Sequence, residues 1–469
     1  MANQNPNGRP DRPDRRAAKA AGAVRTRRRG GSRPVLSAWT IAAMLSVCVG
    51  ASHGGAAPAT EPSGAVASLP ATVPAELPPW SRGELDIYHI NTGGGNAAFF
   101  IFPDGTTMLF DAGDFDHAGA VARSRPLVIA PRRPSDQTTP GAAIAAFIGK
   151  VMPRGAAPRI DYAVISHFHD DHYGAVRPGL ARSASGDYLL TGITEVGERV
   201  PIGTLIDRAY PDYAERMDAR QMASPTFANY RAFQQAELVR GVKLQRLAPG
   251  RTDQIALRAG RADFPTFRVR NIKSSEELWT PGGVKRLFPR AGVRYSNGSF
   301  NENPESLAIK ISYGAFDYFT GGDNTGMSGL DDLDGVDVES RMAPSVGPVD
   351  VMTFDHHGNR DAMNARLLRT LKPRVLIEQT WVSDQPGGEV VRRLANQAIW
   401  PGPRDVFATH LADETRGAIG AIVDRTYTAA GGTVAVRVAP GGGSYRIFML
   451  SDEDAGTKIL KSFGPYQSR

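Results

Sequence analysis

The sequence is nearly without sulfur nucleophiles: its 469 residues include one cysteine, Cys48. A disulfide framework and a thiolate-rich metal site are both excluded for a chain on its own. Histidine is scarce as well, nine residues in all, with none between His172 and His356. No apolar run reaches the roughly 20 residues that a membrane-spanning helix needs. Internal repeats are missing too. A surplus of one charge sign is also lacking once the N-terminus is set aside. The formal net charge is +7, but residues 1–34 hold ten Lys or Arg against Asp11 and Asp14, so the remainder stands at −1. The basicity of the whole chain therefore gives no support to a nucleic-acid-binding body.

What is present begins with that basic start. It ends at Arg33 and is followed by an apolar run, Val35 to Val49, and then by Gly50, Ala51 and Ser52. This is the order of a secretory signal peptide. Residues 1–53 are expected to be a leader that exports the protein to the periplasm or the medium, with an uncleaved N-terminal anchor as the alternative. Beyond the leader no integral membrane domain is expected. Arg27-Arg28-Arg29 lacks the apolar residue that should follow a twin-arginine pair. Cys48 lies inside the apolar run and would leave with it. Residues 54–80, rich in Ala, Pro, Ser and Gly, cannot build a core and read as a linker. The body is then 81–469.

Within the body, Leu85 to Ile90 alternates as a strand should. Gly93-Gly94-Gly95 makes a turn, and Ala97 to Phe102 and Thr107 to Phe110 continue as strands into Asp111-Ala112-Gly113-Asp114. No Gly-Lys-Ser/Thr follows the glycines, which favours a hairpin over a phosphate cradle. A helix over 141–152 leads to the strand Tyr162 to Ile165, and directly after it comes Ser-His167-Phe-His169-Asp-Asp171-His172. Imidazole and carboxylate are the ligand types of zinc and similar metals, and strand C-termini are where open α/β sheets bind ligands. His89 and His117 read as structural residues.

The stretch 180–300 has weaker periodicity and much Arg. Its one well-marked helix has Ser224 as N-cap, Pro225 in the first turn and Gly241 as stop, with a core stripe of Phe227, Tyr230 and Phe233. A strand 316–320 then ends in Gly321-Gly322-Asp323. Another, 349–354, ends in Asp355-His356-His357-Gly358. A helix 363–371, a strand 374–378 and a β-rich region 431–450 close the chain.

Three strand ends thus deliver His167, His169, Asp171 and His172, then Asp323, then His356 and His357. In this the chain resembles the metallo-β-lactamase fold hydrolases, whose signature is His-x-His-x-Asp-His, a bridging Asp and a late His. More narrowly it is similar to the hydrolase domain of ComEC-type competence proteins and their secreted relatives. The matching segments are 91–97, Pro103-Asp104-Gly105, Asp111-Ala112-Gly113, Asn303 with Ser306-Leu307, Gly322-Asp323 and His356-His357-Gly358-Asn359. The resemblance, over roughly 83–380, implies a four-layer αββα sandwich with the site in a cleft at one edge. To this would be added a long insertion, about 180–300, and a β-rich C-terminal segment. It departs in having no His between the first motif and Asp323, which leaves one pocket with His167, His169 and Asp323 only. Asn303 or Glu302 is the candidate replacement. Of the late pair, His356 is favoured because it directly follows the strand and Asp355.

The resemblance implies one or two divalent ions, zinc or alternatively manganese, and hydrolysis by a metal-bound hydroxide. Asp171 would be ligand and proton shuttle together, with Asp170 and Tyr173 as neighbouring contacts. A phosphodiester or related ester is the expected substrate. A lactam, lactone or thioester substrate is the alternative, and so is a non-catalytic exported metal-binding protein.

Overall fold

The computed structural model describes residues 76–290, 292–295, 298–326, 337–454 and 456–469. The expected leader, Cys48 and residues 54–75 of the expected linker lie outside the described residues. Residues 76–80 pack on the body: Glu76 bridges Lys458, and Leu77 is buried.

Two nine-stranded mixed sheets form the centre. In the first, Leu85–His89, Ala98–Ile101 and Thr107–Phe110 form the antiparallel meander that the glycine turn predicts. Ile160–Val164, Ile202–Asp207 and Lys243–Arg246 extend it in parallel. Thr433–Val438, Ser444–Leu450 and Ile459–Gln467 pair on the other side, so the β-rich C-terminal segment completes this sheet and runs further than expected. In the second sheet Phe316–Thr320, Val351–Thr353, Val375–Glu378, Asp405–Ala408 and Tyr427–Ala430 run parallel. Ala308–Tyr313, Arg268–Ser274, Glu277–Thr280 and Gly283–Arg286 continue it antiparallel.

The layers follow from where apolar side chains go. Central strands such as Ala98–Ile101 and Val375–Glu378 are buried along their whole length, as strands covered on both faces must be. Ile87, Phe100, Met108 and Val164 of the first sheet meet Ile309, Ile311, Tyr318 and Ile377 of the second. The other face of the first sheet is covered by Pro140–Val151, Gly192–Arg199 and Pro225–Val239 through Ile144, Val196 and Phe233. The outer face of the second is covered by Val338–Val346, Ala365–Leu371 and Gly388–Ala395 through Met342, Leu368 and Val391. This is the expected αββα sandwich.

The stretch 180–300 is not set apart from it. Its strands form the outer part of both sheets, with Lys243–Arg246 and Gly283–Arg286 at the edges, and its helices cover the first. The two edge strands bury little of either face, so their apolar rhythm is weak. Several arginines of the stretch pair with acids, Arg246 with Glu277 at 2.7 Å and Arg216 with Glu276 at 3.0 Å. The helix Pro225–Val239 has the expected Ser224 cap, and Phe227, Tyr230 and Phe233 are core. Among the described residues no helix is long and apolar enough to cross a membrane.

Candidate metal centre

Strand ends place every side chain of the cluster. After Thr107–Phe110 the chain turns at Asp111, whose φ of +62° is left-handed. The buried Asp111 carboxylate accepts from Ser166 N–H and Ser166 Oγ, both at 2.7 Å, and from His172 Nδ1 at 2.8 Å. It therefore ties the end of its own strand to the loop that follows Ile160–Val164. That loop carries His167 and His169 and ends in a short helix, Asp170–Tyr173. The backbone of this helix is locked from below: Asn96 N–H donates to Asp171 O, and Ala112 N–H to His172 O, each at 2.8 Å. Here two glycines of the sequence motifs are required by close approach. A Cβ on Gly95 would lie 2.1 Å from Asp171 O, and one on Gly113 2.0 Å from it.

From the second sheet, Asp323 follows Phe316–Thr320, and His356 and His357 follow Val351–Thr353. The ligand-type atoms gather in two groups that share Asp323: Asp171, His172, Asp323 and His357, and His167, His169 and Asp323. Within each group all these atoms lie within 4.8 Å of one another. His172 Nε2 is 3.1 Å from Asp323 Oδ1 and 3.3 Å from His357 Nε2. His357 Nε2 is 3.1 Å from Asp171 Oδ2 and 3.5 Å from Asp323 Oδ2. His167 Nε2 is 3.7 Å from Asp323 Oδ2 and 3.1 Å from His169 Nδ1.

Each imidazole of the first group has its second nitrogen engaged, His172 Nδ1 on Asp111 and His357 Nδ1 on Gln379 O at 2.8 Å. This fixes Nε2 as the free atom, the outer-shell device common around metals. Asp323 Oδ1 is buried and makes no hydrogen bond, its approach to His172 lacking the geometry for one. Unpaired buried carboxylate oxygens are costly, and a cation between the groups would remove that cost.

The electrostatics agree. Burial pushes Asp323 up, but His172, His357 and His167 outweigh it and hold the carboxyl well below its usual range. Burial lowers His357, yet Asp323 and Asp171 raise it to about 10. His172 is raised in the same way. His167, with burial dominant and the neighbouring His172 adding to it, falls well below the ordinary value. The carboxylates draw positive charge into the Asp171 side, while the His167 side favours neutral imidazole, the ligating form.

The late pair departs from expectation. His357, and not His356, enters the group with Asp171. His356 turns the other way: its Nδ1 donates to Asp361 at 2.7 Å, and its Nε2 stands 2.9 Å from Asn303 Nδ2 and 4.0 Å from Asp323 Oδ2. Of the two candidate replacements, Asn303 borders the cluster and its buried Oδ1 has no partner. Glu302 is withdrawn from it, held by Arg208 through two bonds of 2.6 Å while accepting Phe168 N–H at 3.0 Å. Tyr173 is core, packed on Phe168 and Tyr230. Asp170 lines a cavity, and burial raises its carboxyl to about 6. His89 is buried between the sheets outside both groups, and His117 bonds Ala130 O at 2.9 Å. The motif glycines and Asp111 were visible in the sequence without their role. Arg208 had no signal at all.

The architecture is the αββα sandwich that the resemblance to the metallo-β-lactamase fold implies, and a cluster of His and Asp lies at its strand ends. No family model matches the chain, and no curated protein does. Among solved structures, it is similar to a CmlA beta-hydroxylase mutant at 12% identity and a TM-score of 0.33, over 76% of this chain and 54% of that one. It is similar to unliganded yeast PDE1 at 13% identity and 0.33, over 74% and 96%. It is also similar to Zn(2+)-bound PqqB from Methylobacterium extorquens at 13% and 0.34, over 75% and 99%. The chain thus spans about half the length of the CmlA protein. At these scores the likeness adds nothing to the architecture read from the sheets themselves.

Proposed function

We propose that the protein is an exported metal-dependent hydrolase acting on a phosphodiester or related ester. The observation that carries the metal dependence is the shared Asp323, one carboxylate common to two groups of buried or partly buried imidazole and carboxylate, and the phosphodiester follows from the resemblance. The donor set holds nitrogen and oxygen without sulfur, which suits zinc and also admits manganese. His167, His169 and Asp323 would hold one cation; Asp171, His172, Asp323 and His357 would hold another. Bound there, divalent cations acidify a water and polarise the scissile oxygen.

The chain's own residues supply the rest. Asp111 and Gln379 O orient His172 and His357. Asp171, a carboxylate at the mouth of the cluster, is placed to accept a proton at Oδ2 from the attacking water as well as to ligate. His169 and His172 would act as ligands and transfer no proton. Export rests on the residue order of 1–53, and N-terminal sequencing of secreted protein tests it. For the reaction, metal content and turnover of the full chain are measured on bis-p-nitrophenyl phosphate, DNA, nitrocefin and a lactone. Chelator-sensitive, metal-restored phosphodiester cleavage that disappears in His167→Ala/His169→Ala is expected. Full turnover in that double variant would overturn the reading.

A further inference from the structure

Two cavities open beside the cluster, and His169 lines both. One, about 380 Å³, is bounded by Phe115, Trp381, Phe168, Asp170 and Asp171. The rings of Phe115 and Trp381 lie 4.6 Å apart, and Trp381 meets His357 edge-on at 6.2 Å. Trp381 Nε1 is buried and has no hydrogen-bond partner in the protein. Such a slot suits a flat ring with an acceptor on its edge. Asp170 and Asp171 on its wall, with Asp116 beside them, oppose an anion there.

The other cavity, about 360 Å³, is bounded by Gln221, Arg220, Arg294 and Phe300, and by Asp218 and Glu302, whose carboxylates are each paired with an arginine. Gln221 gives its amide to Phe168 O at 2.8 Å, which leaves its buried Oε1 without a partner. Arg294 is tied to Asp218 at 3.2 Å. The exposed Arg220 side chain makes no ion pair or hydrogen bond among the described residues. This cavity offers an uncommitted cation and an uncommitted acceptor. It suits a group that carries both negative charge and a hydroxyl or N–H.

Resting on the hydrolase reading above, we propose that the cavities are two subsites on either side of the scissile bond. Trp381 and Phe115 bind an aromatic or heterocyclic arm, and Arg220 with Gln221 binds a polar, anionic arm. The substrate class is then an asymmetric phosphodiester that joins a flat ring to an acidic or hydroxylated group. Water would attack phosphorus, the P–O bond to one arm would break, and that arm's oxygen would leave with a proton.

Kinetics of metal-reconstituted full chain on three probes test this: bis-p-nitrophenyl phosphate, methyl p-nitrophenyl phosphate and carboxymethyl p-nitrophenyl phosphate. A hydrophobic contact of this size discriminates by about 10-fold or more. Trp381→Leu should raise KM for the bis-aryl ester about 10-fold, with the loss on KM rather than kcat and metal content per chain unchanged. Trp381→Phe should recover most of it. Arg220→Ala should lower the preference for the carboxymethyl over the methyl ester about 10-fold. Unchanged preferences in both variants would overturn the proposal. If no probe is turned over, the hydrolase reading falls alone, and calorimetric binding of phenylphosphonate decides the subsites. Weaker binding in Trp381→Leu than in wild type supports them, and equal binding refutes them.

Discussion

Replacing Arg208 by methionine should destabilise the protein by about 3–5 kcal/mol, the range for removing one partner of a buried ion pair. The guanidinium is fully buried and grips both oxygens of Glu302 at 2.6 Å, with Arg216 O as a further acceptor at 2.8 Å. Nothing apolar can satisfy Glu302 in its place, since Glu305 lies on the same side, 3.9 Å from Arg208. For a body of roughly 390 residues the unfolding entropy is about 0.8 kcal/mol per degree, so the deficit corresponds to a Tm lower by about 4–6 °C. Arg208→Met/Glu302→Met should cost much less than the sum of the two single changes, because neither partner is then left as a bare buried charge. The loss should reach the metal site too, since Glu302 holds Phe168 N–H between His167 and His169. Calorimetry on chelated and metal-loaded protein reads both effects. A shift under 1 °C in the single variant, or strict additivity in the double, would refute the reasoning.

Asp111→Asn keeps a residue tolerant of the left-handed backbone and removes the charge behind His172. Metal affinity measured by chelator competition should fall about 10–100-fold. Gly113→Ala forces a Cβ against Asp171 O and should cost about 3 kcal/mol, the upper end of overpacking effects, with metal lost in equilibrium dialysis. Burial lowers buried His89 from its ordinary value to about 4. The unfolded chain therefore takes up a proton on it first, and stability should fall by roughly 3 kcal/mol as pH drops from above 6.5 to below 4. His89→Phe should remove that part of the pH dependence in urea titrations. His357→Ala should abolish the cation on the Asp171 side, and His356→Ala should weaken the one on the His167 side. Metal titration would show identical losses if this division were wrong.

The site was legible because its residues follow apolar runs. A strand that must be buried on both faces announces itself, and the first polar residues past its end are the ones presented at the sheet edge. His167, Asp323 and His357 were all found this way. Asp111 also stood at a strand end, but what it does depends on Ser166 and His172, more than 50 residues away. Arg208 and Glu302 are 94 residues apart, and an arginine in a stretch crowded with arginines has nothing to distinguish the buried one. The strands of 180–300 escaped for a different reason. The outer ones, Lys243–Arg246 and Gly283–Arg286, bury little, and ion pairs such as Arg246–Glu277 stand in place of an apolar face, so their period is hidden.

The choice between His356 and His357 was posed as one residue or the other, and the backbone dissolves it. His356, His357 and Gly358 have φ values of +46°, +51° and +70°, a left-handed turn that L-residues enter only at a cost of about 1–2 kcal/mol each. Histidine gains nothing from such a backbone locally, so tertiary contacts must offset it. They do: His356 N–H donates to Gly322 O at 3.1 Å, Asn359 N–H to His356 O at 2.8 Å, and each imidazole donates through Nδ1, to Asp361 and to Gln379 O. The bond to Gly322 anchors the turn one residue from Asp323. Both Nε2 atoms thereby come near the same carboxylate: that of His357 is 3.5 Å from its Oδ2, and that of His356, which also meets Asn303 Nδ2 at 2.9 Å, is 4.0 Å from it. The strain thus has a use: it brings both late histidines to within 4.0 Å of Asp323.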